Sequence, residues 1–209
     1  MSFSYPLSFP DLTNIQSIQL TARNATAVTS SPFTYKQQVL KYSASRWEAN
    51  ITLPPMKRAD SETWITFLMK LNGQYGTFLL GDPLGQTARG SASTQAGTPL
   101  VNGANQTGSS ISVDGLPLSV TGYLLEGDYI QLGSGATAKL HKVMTQVNSD
   151  ASGTAVIDIW PDIRTSPADN DSIVVANAQG IFRLLNPEVS FSIDMASIYG
   201  INFSAVEAL

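Results

Sequence analysis

The sequence predicts a mainly β protein: a half-buried sheet drawn from both ends of the chain, one α-helix, and a separate β module in the middle. Three observations carry that expectation. From Arg46 to Leu53 apolar and polar residues alternate, so Trp47, Ala49, Ile51 and Leu53 share one face of a strand. Trp64, Phe67, Leu68 and Leu71 follow at i, i+3, i+4 and i+7, which draws one apolar stripe along a helix. Between Ile111 and Ala178 short apolar runs alternate with Gly, Asn, Asp and Ser clusters, the pattern of a small barrel or sandwich.

Pro6 and Pro10 interrupt the first residues, and Ile15, Ile18 and Leu20 mark a strand of imperfect alternation. Phe33 to Tyr42 alternates with Tyr35, Gln37, Val39 and Lys41 on one side and Gln38, Leu40 and Tyr42 on the other. Ser43-Ala44-Ser45 is read as the hairpin loop leading to the strand at Arg46, and Pro54-Pro55 stops that strand. Asp60 is the expected acceptor for the first free N–H groups of the helix, Glu62 favours the same positive end, and Asn72-Gly73 supplies a left-handed stop. Such a stripe needs a sheet to lie on. Gly76 to Pro83 then resumes extended structure.

From Leu84 to Ser112 the chain is rich in Gly, Ser, Thr, Ala and Gln, as expected of loops entering a separate module. Strands are expected at Ser112-Val113, Tyr123–Leu125, Tyr129–Leu132, Lys139–Val147, Ala155–Trp160 and Ser172–Val175. Glu126-Gly127-Asp128 and Asn148 to Gly153 provide turns. Gly180-Ile181-Phe182-Arg183-Leu184-Leu185-Asn186-Pro187 then echoes Gly76-Thr77-Phe78-Leu79-Leu80-Gly81-Asp82-Pro83, which suggests two strands of similar burial flanking an insertion. Val189, Phe191 and Ile193 alternate with polar residues, and Ile201-Asn202-Phe203 can add a last strand. The expected organisation is a discontinuous domain of residues 1–84 and 180–209, interrupted by a β module at 85–179.

Composition narrows the function classes. The hydrophobic fraction of 43% is that of a folded protein, whereas charged residues make up only 13%, well below the roughly 25% usual for soluble domains. A weakly charged exterior suits a protein that hides surface in an assembly, because interface cores are depleted in charge. The net charge of −4, with scattered Lys and Arg, argues against a phosphate-binding surface. Cysteine is absent, so thiolate metal sites, thiol nucleophiles and disulfides are excluded. Met1 to Pro6 lacks a charged start followed by an apolar run, and no stretch approaches the roughly 20 apolar residues of a membrane span. A soluble, unprocessed product is expected.

The residues offer little chemistry. His141, the only histidine, lies in a strand beside Lys139 and Lys142 and is read as structural. Asp158, Asp162, Asp169 and Asp171 are the densest acidic group. Asp169-Asn170-Asp171 has a superficial likeness to a calcium loop but lacks its spaced ligands and later Glu, so it is read as a solvated turn. The glycine-rich stretches lack phosphate-loop order, and there is no Gly-x-Ser-x-Gly elbow. No catalytic residue, cofactor or metal is assigned. One local kit stands out: Trp160, Asp162 and Arg164 place an aromatic, a carboxylate and a guanidinium at a strand end, the makings of a sugar- or protein-binding rim. The competing reading has Trp160 capping the barrel core and Asp162 paired with Arg164.

Several runs resemble the tail proteins of long-tailed bacteriophages and prophages: Tyr35 to Val39, Trp47-Glu48-Ala49, Leu53-Pro54-Pro55-Met56, Ala59-Asp60, Trp64, Phe67-Leu68, Gly73 to Phe78 and Gly81-Asp82-Pro83. Gly127 to Gln131, Asp158 to Pro161 and Ile198 to Ser204 are similar to the same group. In length and layout the chain most resembles the distal tail protein family. The resemblance implies a β-sandwich-type belt domain with one helix, carrying an inserted small β-barrel or β-sandwich module. It further implies a ring, of six copies, at the distal end of the tail tube, connecting the tube to the tail tip or baseplate and leaving a channel for DNA. The partners so implied are other copies of the chain, the tail tube protein, tip hub or baseplate proteins and the tape-measure protein. Specific nucleic-acid binding and membrane insertion are not expected, and the location would be the virion tail tip. The alternative is a tail-associated carbohydrate-binding protein for host adhesion through the insert, although the insert is short beside the family's large sugar-binding version.

Overall fold

Alternation along the chain becomes register in a sheet whose strands come from both ends of the sequence. The computed structural model describes residues 3–10, 14–95 and 97–209. The expectation for the chain start rests in part on Met1 and Ser2, which lie outside the described residues. In chain order, β1 (Ser17–Ser30) and β2 (Gln37–Thr52) form a long antiparallel hairpin, followed by β3 (Met56–Lys57), α1 (Arg58–Lys70) and β4 (Phe78–Leu80). The middle of the chain holds β5 (Leu100–Val101), β6 (Gly108–Asp114), β7 (Tyr129–Leu132), β8 (Lys139–Val143), β9 (Ala155–Ile163) and β10 (Ile173–Val174). The chain closes with β11 (Gly180–Leu184), β12 (Phe191–Ile193) and β13 (Ile198–Glu207). The protein is mainly β, of the sandwich and barrel class, with one α-helix among the described residues.

The first sheet runs β1-β2-β13-β11-β4, with β3 and β12 pairing to the start of β13. Trp47, Ala49 and Ile51 of β2 are buried as their alternation requires, and α1 contributes Trp64, Phe67 and Leu68 to the same core. Phe9 joins it edge-on, its ring 5.1 Å from Trp64 and 5.7 Å from Phe67. Such aromatic pairs add about 0.5–1.5 kcal/mol beyond their area. The helix begins three residues earlier than Asp60 suggests: its N-cap is Lys57, and Asp60 lies inside the first turn. Pairing of Met56 and Lys57 with Tyr199 and Ile198 holds the backbone extended up to that point, so the helix starts where the pairing ends. The C-terminal stop is as expected, with Asn72 at φ 49° and Gly73 at φ 66°. A side chain at Gly73 would come within 2.9 Å of the Pro187 carbonyl oxygen.

Ser43-Ala44-Ser45 is not a hairpin loop. β2 passes straight through it, and the turn lies at Ser31–Lys36, where Ser31 Oγ accepts hydrogen bonds from the Phe33 and Thr34 N–H groups. The register with β1 shifts between Asn24 paired with Ser45 and Thr26 paired with Lys41, which leaves Ala25 opposite Tyr42, Ser43 and Ala44. The small residues therefore mark a bulge, which bends a strand without ending it.

The second sheet, β10-β7-β8-β9-β6-β5, closes on itself through a bridge between Leu100 and Ser172. Its interior is filled by Val101, Ile111, Tyr123, Leu124, Ile130 and Ile157 among others. Tyr123–Leu125 is not a regular strand and meets Val147 only through an isolated bridge at Leu124; β8 ends at Val143. The reason is the Glu126-Gly127-Asp128 turn, where the Asp128 carboxylate accepts the N–H groups of Arg89, Gly90 and Leu125 and holds that segment as a loop. The two echoing segments lie side by side: Leu80 pairs with Gly180, Leu79 with Ile181 and Phe78 with Phe182. The barrel thus leaves and rejoins the first sheet where a hairpin turn would otherwise connect β4 to β11. Its two ends are tied by the Asn177 N–H donating to the Gln86 carbonyl at 2.7 Å.

Candidate assembly interface

Trp160 and Arg164 are spent on holding the barrel against the first sheet. The Trp160 ring meets Trp47 at 4.5 Å and nearly perpendicular, and its Nε1 donates to Asn24 Oδ1 at 2.9 Å. Arg164 makes a two-pronged bond to the Glu207 carboxylate at 2.7 and 3.1 Å and donates to the Ser45 carbonyl. Asp162 forms no ion pair among the described residues. The Asp162–Arg164 pair considered from the sequence is therefore absent among the described residues, while Trp160 and Arg164 each have a partner in the first sheet.

A buried polar contact surrounds these residues. Glu207, its side chain 1% exposed, also accepts the Trp47 N–H, while Trp47 Nε1 donates to the Leu140 carbonyl at 3.0 Å. Lys139 Nζ donates to the Ala208 carbonyl, and burial pushes its pKa down. His141 Nδ1 lies 2.7 Å from the Pro161 carbonyl oxygen, and burial lowers the imidazole pKa to about 4. At neutral pH the ring is uncharged and donates its Nδ1 proton to that carbonyl. Tyr129 sits 6.2 Å from Trp47 under the Lys142 ammonium, and its pKa is raised by burial, with Asp82 adding to the effect.

Three of the four acidic residues singled out in the barrel hold neighbouring backbone or side chains. Asp169 accepts the Gly103 N–H, Asp171 accepts the Ala168 N–H, and Asp158 accepts the Thr145 hydroxyl. Among the described residues no group of three or more His, Asp or Glu converges as a metal site would require.

The conspicuous surface lies elsewhere. Beyond the bulge, β1 and β2 leave the body as a two-stranded arm, residues 26–42, in which every side chain except Ser31 is exposed. Leu40 and Tyr42 lie on one face with Ala27, and Val28 and Val39 lie opposite each other on the second. At the tip Phe33 is 93% and Tyr35 82% exposed, with Tyr35 held at φ 54°. The outer edge of β1 pairs with no other strand among the described residues. A long, open edge with a single charged residue, Arg23, is what soluble single-copy proteins avoid. A second exposed apolar set, Phe191, Ile193, Met195 and Ile198, occupies the β12–β13 hairpin. The sequence carried a signal for the arm: Tyr35, Val39, Leu40 and Tyr42 put large apolar groups on both sides of one strand, so neither face is wholly polar.

No protein-family model and no curated protein matches this chain.

Proposed function

We propose that this chain is a structural ring component of a phage-type tail, a distal tail protein that joins the tail tube to the tip or baseplate and leaves a channel for DNA. The observation that carries the reading is the arm at residues 26–42, whose Val28, Phe33, Tyr35, Val39, Leu40 and Tyr42 side chains a lone copy leaves in water and an assembly covers. The tail-protein resemblance of the sequence supports the same class and supplies the expected ring of six copies and the tube, hub and tape-measure neighbours. The low charged fraction fits a protein with much of its surface in contact. Adhesion to glycans through Trp160 draws no support from the arrangement, because that ring packs on Trp47.

Native mass spectrometry and negative-stain microscopy of the full chain test the proposal. Hollow multi-copy rings are expected at micromolar concentration. A single-copy mass across the whole accessible concentration range overturns it.

A further inference from the structure

Resting on that self-assembly reading, we infer that copies join head to tail, the arm of one seating on the β12–β13 hairpin, residues 187–198, of the next. The two surfaces lie at opposite ends of the first sheet. β13 runs antiparallel to β2, with Asn202 paired to Thr52 and Val206 to Glu48, so Ile198 extends past the end of β2 that is remote from the arm. The 16 residues of β2 alone span roughly 50 Å at about 3.3 Å each. A two-stranded arm cannot fold back over that distance to cover the far hairpin of its own chain.

The surfaces also match in chemistry. Residues 26–42 carry Lys36 and Lys41 and no acidic residue, a charge of +2. Residues 187–198 carry Glu188 and Asp194 and no Lys or Arg, a charge of −2. All four are exposed, and none forms an ion pair among the described residues. Phe33 and Tyr35 on one side face Ile193, 55% exposed, and the fully exposed Met195 on the other as the apolar centre of the contact. Among the described residues β12 has β13 as its one strand partner, so its outer edge keeps backbone groups available to a neighbouring strand. Two different surfaces on one molecule make a heterologous contact, which propagates and closes when the rotation per copy divides a full turn.

Light scattering on separated wild type, a tip variant (Phe33→Ser with Tyr35→Asn) and an edge variant (Ile193→Ser with Met195→Ser) tests this. Each variant alone is expected to fall to single copies with an unchanged far-UV circular dichroism spectrum, since the altered side chains are exposed on the single copy. Mixed in equal amounts, the two are expected to form one-to-one pairs, because one keeps the arm and the other the hairpin. Pairing should weaken about tenfold from 50 to 500 mM salt as the lysine and carboxylate charges are screened. A mixture that stays single-copy, or variants that assemble like wild type, overturns the head-to-tail contact while leaving self-assembly standing. Wild type that is single-copy throughout overturns both. Should either pair of substitutions alter that spectrum, Lys36→Glu with Lys41→Glu replaces the tip variant and Glu188→Lys replaces the edge variant, with the same outcomes read.

Discussion

Glu207 keeps a carboxylate out of water at the end of β13 by giving its oxygens to Arg164 and to the Trp47 N–H. The asymmetry of buried pairs makes a specific expectation: Arg164→Met strands that charge and costs about 3–5 kcal/mol, whereas Glu207→Gln retains an acceptor and a donor and costs less. Urea unfolding of both variants checks the order. His141 sets the acid side of stability. Its folded pKa of about 4 lies below the ordinary value of 6.5, so the unfolded chain takes up the proton first as pH falls. Stability is therefore full above about pH 6.5 and declines toward pH 4, by about 2 kcal/mol between pH 7 and 5. His141→Gln should flatten urea midpoints across that window, since no other histidine titrates there.

At the scale of elements, α1 is fastened by Phe67, buried against Phe9 and Phe78 at 5.7 and 5.5 Å, and Phe67→Ala is expected to cost about 3–5 kcal/mol in a thermal or urea melt. At its end, Gly73→Ala meets both a left-handed backbone and the Pro187 carbonyl and should cost more than about 1 kcal/mol, while Asn72→Gly should be close to neutral. These elements were legible in the sequence because their periods are clean: Trp47 to Leu53 for β2, Trp64 to Leu71 for the helix. The errors sit where tertiary pairing overrides local signals. Ser43-Ala44-Ser45 reads as a turn, yet β1 continues alongside it and absorbs the extra residues as a bulge. Asp60 reads as a cap, yet β13 holds Met56 and Lys57 and starts the helix earlier. The partners of Trp160 and Arg164 were illegible because Trp47 and Glu207 lie 113 and 43 residues away, and no local pattern encodes such a meeting.

Over the whole molecule, the barrel and the first sheet share Trp47, whose ring touches Trp160 and whose Nε1 bonds Leu140. Calorimetry should find one unfolding transition for the wild type and two for Trp47→Ala combined with Arg164→Met, because both main links between the two core clusters are then lost. Pairing of Leu80 with Gly180 has a broader implication. Backbone continuity would accept any module whose ends lie as close as two adjacent strands, so that point is a covalently permissive mount. Chemically it is keyed: a replacement that brought no cation to Glu207 and no flat apolar surface to Trp47 would leave a stranded charge and an uncovered indole. Exchange of the hanging module therefore requires coordinated change at those two residues, which belong to the part that would remain.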